Sequence, residues 1–206
     1  MNRIDLLDVI FSDQKIKVGV EIGTFKGEFS KEILKRLSGT LYMVDVWNEL
    51  GDEYIDASNH KNFENGVYGE CMSNIKGFEE RGLMIRGTSK KTSEIFNDSS
   101  LDFIYIDANH AYDFVKEDLE LWYPKVKPGG WVMGHDYLKI DWEQPPFAEN
   151  DKDKHIWLFD NSNPNEKIYA GIFGVNPAVD EFCKKNNYEP NFTEEWLSTW
   201  YFQKKL

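Results

Sequence analysis

Val20-Glu21-Ile22-Gly23-Thr24-Phe25-Lys26-Gly27 is the stretch on which the fold assignment turns. An apolar run from Lys17 to Ile22 stops at glycines and passes into helical periodicity over residues 28 to 38, the pattern of a buried strand, a turn and a helix. Glycine lets a backbone turn tightly and approach a ligand with no side chain between them. This is not the dinucleotide fingerprint G-x-G-x-x-G, because Phe25 stands where the middle glycine belongs. It is not a P-loop, because Lys26 precedes the last glycine and no G-K-[ST] is present. A diphosphate ligand and an NAD-dependent enzyme are therefore disfavoured. Taken alone, the glycines fit two readings: a tight βα turn, or a ligand loop at the carboxyl end of a first strand.

The alternation continues on either side. Ile4, Leu7, Ile10 and Phe11 mark one face of an opening helix, and Leu41 to Val46 is a second strand. Phe63, Val67, Cys71, Ile75 and Phe78 recur every three to four residues as on an amphipathic helix, and Leu83 to Arg86 is a short third strand. Leu101 to Ile106 is apolar at nearly every position, as in a strand covered on both faces of a parallel sheet. A helix with Val115, Leu119 and Trp122 inward follows, and a Pro128-Gly129-Gly130 turn leads into Trp131-Val132-Met133 as the fifth strand. Strands alternating with helices predict an α/β fold, a Rossmann-like doubly wound sheet. Residues 138 to 169 are polar and proline-containing, too long for an ordinary connection, and read either as a substrate lid or as a solvated insertion. Pro177 to Lys185 is a last helix. Asn187 to Phe192 and Ser198 to Gln203 are then two strands around a Thr193-to-Trp196 turn. With no repeat or linker, residues 1–206 read as a single domain.

Composition narrows the function. The 206 residues carry 36 acids against 24 Lys and Arg, a formal charge of -12, which speaks against nucleic acid and anionic membrane as partners. Residues 51–160 hold 22 of the acids and 12 of the basic residues, so the acidity is concentrated in the middle of the chain. Cys71 and Cys183 share no metal-binding spacing and fit buried thiols in a reducing, cytoplasmic setting. No leader pattern and no membrane-length apolar run is expected. A small-molecule partner is the expectation, with a homo-oligomer left open.

Asp45 ends the second strand about 20 residues beyond the glycine loop, where a carboxylate accepts both hydroxyls of a ribose. Arg86-Gly87-Thr88-Ser89 is a small-residue loop on the same edge of the sheet, and Trp47 stands where it could flank a ligand. Trp122, Trp131, Trp196, Trp200 and Tyr201 are assigned to core and hairpin packing. The order Glu21-Ile22-Gly23-Thr24-Phe25-Lys26-Gly27, Asp45, Ile106-Asp107-Ala108-Asn109-His110-Ala111-Tyr112 and Lys127-Pro128-Gly129-Gly130 resembles the class I S-adenosylmethionine-dependent methyltransferases. More narrowly, Ile106-Asp107 through Tyr112 with Gly134-His135-Asp136-Tyr137 is similar to the small O-methyltransferases of sugars and antibiotic precursors, relatives of the catechol-type metal-dependent enzymes.

The resemblance implies a seven-stranded sheet whose last strand is antiparallel, and S-adenosyl-L-methionine as cofactor. It assigns Glu21, Gly23 and Gly27, with Thr24 in the same loop, to the methionine moiety. Asp45 goes to the ribose, Thr88 and Ser89 to the adenine side, Asp107 to cofactor or metal, and Asp136 to metal. At His135 the catechol type has an acid instead. Asp107 and Asp136 would end adjacent strands, and two close carboxylates repel unless protonated or bridged by a cation such as Mg²⁺. A ligating His135 would shift the preference towards a transition metal. Strand alternation would turn His135 and Asp136 to opposite sides. His110, three residues beyond Asp107, is the candidate base for a hydroxyl acceptor, its alternative role being a helix cap. The rival readings are a metal-independent methyltransferase and a non-catalytic protein sharing the fold.

Overall fold

The computed structural model describes residues 1–48, 66–138 and 173–206 in full, together with the backbone of 154–159 and 167–172. After helix α1 (Arg3–Phe11), strands and helices alternate: β1 (Val18–Ile22), α2 (Glu28–Arg36), β2 (Thr40–Asp45), α3 (Gly66–Asn74), β3 (Gly82–Arg86), α4 (Ser89–Ser93), β4 (Leu101–Ile106), α5 (Tyr112–Trp122) and β5 (Val126–Leu138). Then come β6 (Lys154–Phe159), β7 (Lys167–Phe173), α6 (Val175–Lys185), β8 (Asn191–Phe192) and β9 (Leu197–Gln203). Seven strands form one sheet in the order β3-β2-β1-β4-β5-β9-β8. β1 to β5 pair in parallel, and β9 runs antiparallel to both β5 and β8. The expected doubly wound sheet with a reversed C-terminal strand is the observed one.

Side-chain alternation along the strands builds two cores. Val20, Ile22, Ile104 and Ile106 pack with Val115, Leu119 and Trp122 of α5 and Val179 of α6 on one face. Leu41, Met43, Phe103 and Tyr105 pack with Leu7 of α1 and Ile33 and Leu34 of α2 on the other. Burying each such side chain contributes about 1.5–3 kcal/mol, so the sheet is held by helices on both faces. That clamping fixes where the strand ends lie.

Several boundaries differ from the sequence reading. Pro128-Gly129-Gly130 lies within β5: Leu101 pairs with Val126 and Phe103 with Trp131, so the four residues between bulge against Asp102 alone. Gly129 and Gly130 stay bonded to Lys204, which is why the strand continues through them. α4 begins at Ser89, the last residue of the expected 86–89 loop, and its five residues are too few to show a helical period. α3 stops at Asn74, leaving Phe78 outside it, while Phe63 lies outside the described residues. Asn187 sits at φ 58 after α6, which ends the helix and delays the strand to Asn191. Trp196 is 52% exposed at the hairpin tip and belongs to no core, unlike Trp122 and Trp200. Within the stretch read as a lid or a solvated insertion, β6 pairs with β7 as a separate two-stranded sheet; residues 139–153 and 160–166 of it lie outside the described residues. Among the described residues no helix is long and apolar enough to cross a membrane.

Candidate active site

At the carboxyl ends of β1, β2, β4 and β5 a cavity of about 570 Å³ is lined by the loops that leave these strands and by α5, a size suited to a small-molecule ligand. Gly23 forms its floor. Its φ is 88°, its N–H donates to the Val44 carbonyl at 2.9 Å, and a Cβ there would lie 2.0 Å from the Asp107 carbonyl oxygen. Only glycine fits a backbone this close to the end of β4. Gly27, at φ 73, faces Cys71 of α3 and does not line the cavity; its role is to start α2 against that helix.

Asp45 ties the loops together. Its Oδ2 accepts from the Phe25 N–H at 2.8 Å and its Oδ1 from the Trp47 N–H at 2.8 Å. Each oxygen keeps a lone pair for a ligand hydroxyl. Burial raises its pKa against the pull of those backbone donors. Trp47 is turned away from the cavity: it is 3% exposed, donates Nε1–H to the Phe25 carbonyl, and packs in the core. Glu21 is buried at the same wall and accepts from the Ser30 hydroxyl. Burial pushes its carboxyl up to about 8, with Ser30 opposing.

The other end of the cavity gathers Asp107, His110 and Asp136. His110 Nε2 lies 2.6 Å from Asp136 Oδ2 and 3.8 Å from Asp107 Oδ1, and its ring stacks on Phe173. The β5–β9 register slips between Gly134 and Tyr137, and Asp136 adopts φ 58. The bulge interrupts the alternation, and of the two neighbours only Asp136 lines the cavity, with His135 Nδ1 3.1 Å from Asp136 Oδ1. His135 Nε2 faces the guanidinium of Arg3 at 3.4 Å. Arginine only donates, so both ring nitrogens are engaged by Asp136 and Arg3, and His135 lies outside the cavity wall. Burial opposes ionisation of Asp136, yet the two histidines outweigh it and hold the carboxyl well below the usual range.

Among the described residues Asp107, His110 and Asp136 each bring a ligand atom within 4.8 Å of the others, a donor set of two oxygens and one nitrogen that suits a divalent cation. The fit is thus to Asp107 and Asp136, with His110 rather than His135 as the third group. Thr88 caps α4 by accepting from the Lys91 N–H, and Ser89 beside it accepts from Trp122 and donates to Asp118. Both line the far end of the cavity. Seven Asp and Glu side chains against three Lys and Arg line the whole space, an acidic chamber that favours a cationic ligand.

Sequence reasoning missed Arg3, Asn109 and Asp118. Nothing in the sequence marks Arg3; its helix is anchored by the Met1 ammonium on Glu194 and by the Arg3 N–H on Glu195. Asn109 is 3% exposed, its Oδ1 accepts from the Ala111 N–H, and its Nδ2 has no hydrogen-bond partner among the described residues. Asp118 sits on the stripe of Val115, Leu119 and Trp122, and an acid on that apolar face was the available signal.

Residues 20–137 match the family described as a methyltransferase domain. The chain belongs to that family. A curated relative, the uncharacterised protein y4gI of Sinorhizobium fredii, is 29% identical over 100 residues, 48% of this chain but only 10% of that protein's length. A solved putative caffeoyl-CoA O-methyltransferase from Staphylococcus aureus superposes with a TM-score of 0.66 at 17% identity, covering 99% of this chain and 84% of the other. The O-methyltransferase TomG of Streptomyces achromogenes, solved with S-adenosylmethionine, does so at 0.64 and 13% identity, covering 98% and 79%. The fold is thus the one these class I methyltransferases share.

Proposed function

We propose that the chain transfers the methyl group of S-adenosylmethionine to a hydroxyl of a small molecule, with a sugar or glycosylated metabolite as the acceptor class, assisted by a divalent cation. The single observation that carries the reading is one cavity that joins the Gly23 loop and Asp45 to the Asp107–His110–Asp136 cluster. The cofactor supplies an electrophilic methyl on a sulfonium centre, and the acidic lining favours that positive charge. Glu21 and Gly23 border the methionine part, Asp45 the ribose, and Thr88 with Ser89 the adenine side. Backbone at Gly23 admits the ligand to the floor, and Asp45 orients it by two acceptor oxygens. A cation held by Asp107 and Asp136 would position the acceptor oxygen and lower its pKa. With the cation on the two carboxylates alone, His110 is left to take the acceptor proton, and the rest of catalysis is alignment of the acceptor with the methyl group in a water-poor site.

The 2.6 Å contact between His110 Nε2 and Asp136 favours a second reading, in which Asp136 orients and charges the base without any metal. Methyl transfer from labelled cofactor to a panel of sugars and phenols, run with Mg²⁺ and again after chelation, separates the two. Activity that needs the ion supports the first reading, and activity indifferent to chelation supports the second. No transfer to any hydroxyl acceptor, with transfer to an amine or carbon instead, would remove the O-methyl assignment.

A further inference from the structure

Asp118 is an acid on the buried stripe of α5, 5% exposed, and it lines the cavity beyond Asp45, on the side of Thr88 and Ser89. A fixed chain of donors holds it. Trp122 Nε1–H, which can only donate, gives its hydrogen to Ser89 Oγ at 2.8 Å, so the Ser89 hydroxyl hydrogen is left to go to Asp118 Oδ1. Asp118 Oδ2 has no hydrogen-bond partner among the described residues. The neighbouring cation on α4, Lys90, is paired at 2.6 Å with Glu117. Burial pushes the Asp118 carboxyl up to about 7, with Ser89 opposing and Glu117 adding to the rise. With one oxygen held by Ser89, the other is the acceptor that Asp118 offers to the cavity.

The sheet order says which part of the ligand arrives there. Asp107 and Asp136 end β4 and β5, Asp45 ends the more distant β2, and Ser89 follows β3 at the edge. With the reacting centre at the first and the ribose at Asp45, the base lies at Ser89 and Asp118. Adenine's donor on its pairing edge is the exocyclic amine. Resting on the cofactor reading above, we propose that Asp118 reads this amine through Oδ2, and that the Trp122–Ser89 chain makes the wall of the cavity selective for a 6-amino over a 6-oxo purine.

The donor chain gives the proposal an unusual test, because it dictates which atom of an amide faces the ligand. In Asp118→Asn the amide oxygen must accept from Ser89, which turns the NH₂ group to the cavity and reverses its polarity from acceptor to donor. Calorimetric titration with S-adenosylhomocysteine and its 6-oxo counterpart, S-inosylhomocysteine, reads this directly. Above about pH 8, where Asp118 is ionised, the wild type is expected to prefer the amino compound by about tenfold or more, the scale of one hydrogen bond to a charged group. Asp118→Asn should lose that preference and favour the 6-oxo compound. Titration of the wild type with the N6,N6-dimethyl analogue needs no variant to fold, and should weaken binding by a similar factor. Equal binding of all three compounds by the wild type, or an unchanged ratio in a folded Asp118→Asn, overturns the proposal. Failure of the wild type to bind S-adenosylhomocysteine at all would instead strike the cofactor reading.

Discussion

Replacing Glu21 by Gln should stabilise the ligand-free protein at alkaline pH and do so by a calculable amount. Glu21 is 1% exposed in β1, and its carboxyl is raised from 4.5 to about 8, chiefly by burial. The Ser30 hydrogen bond and the Arg3 charge lower it, and Asp107 and Asp45 raise it further. A raised folded-state pKa means the folded protein holds the proton more tightly than the unfolded chain. The stability this gives is complete below about pH 4.5 and is lost as pH climbs towards 8. At about 1.4 kcal/mol per pH unit, wild type loses roughly 2–3 kcal/mol from this group between about pH 6 and pH 8.5. Gln does not ionise and keeps a bond to Ser30, so the variant escapes that loss while every other titration is common to both proteins. Urea unfolding of the two proteins at both pH values, in chelator and without cofactor, measures the difference. It should move by roughly 2–3 kcal/mol in favour of Gln. Parallel profiles, with a difference constant to within about 0.5 kcal/mol, would refute the burial argument.

Gly23→Ala puts a Cβ 2.0 Å from the Asp107 carbonyl at φ 88, so cofactor binding by calorimetry should fall more than tenfold, with roughly 1–3 kcal/mol lost from stability. His110→Ala should cut turnover on any hydroxyl acceptor by about a hundredfold or more while cofactor affinity changes by less than threefold; equal losses in both would remove His110 from the proton transfer. Gly19→Ala, whose Cβ would meet the Phe103 ring at 2.1 Å, should lower the unfolding free energy by about 1–3 kcal/mol without changing cofactor affinity in the protein that remains folded.

The sheet was legible because its strands are long apolar runs and its helices carry a stripe, features that local sequence displays directly. Leu101 to Ile106 and the Val115, Leu119, Trp122 stripe are where they were expected. The cavity floor was legible for a different reason: at Gly23 the backbone itself requires glycine. What failed to show was long-range or non-repeating. The left-handed turn at Asp136 and the slip against β9 depend on a partner strand some 60 residues away, and alternation cannot anticipate a bulge. Arg3 reaches the site because Glu194 and Glu195 at the other end of the chain hold its helix. The pairing of β6 with β7 lies in a proline-containing stretch that reads either as a lid or as a solvated insertion, and pairing between distant segments leaves no local period. Trp47, given a place beside the ligand from its position after Asp45, turns into the core because φ 39 reverses the chain there.

Every role proposed for the site requires the cavity between Gly23, Asp45 and Asp107 to hold S-adenosylmethionine. Titrating the intact chain with S-adenosylmethionine in a calorimeter tests this most directly. One equivalent should bind saturably, and binding should be lost in Asp45→Ala, which removes both acceptor oxygens that face the ribose. Absence of heat at millimolar cofactor, or binding that survives Asp45→Ala unchanged, would contradict it.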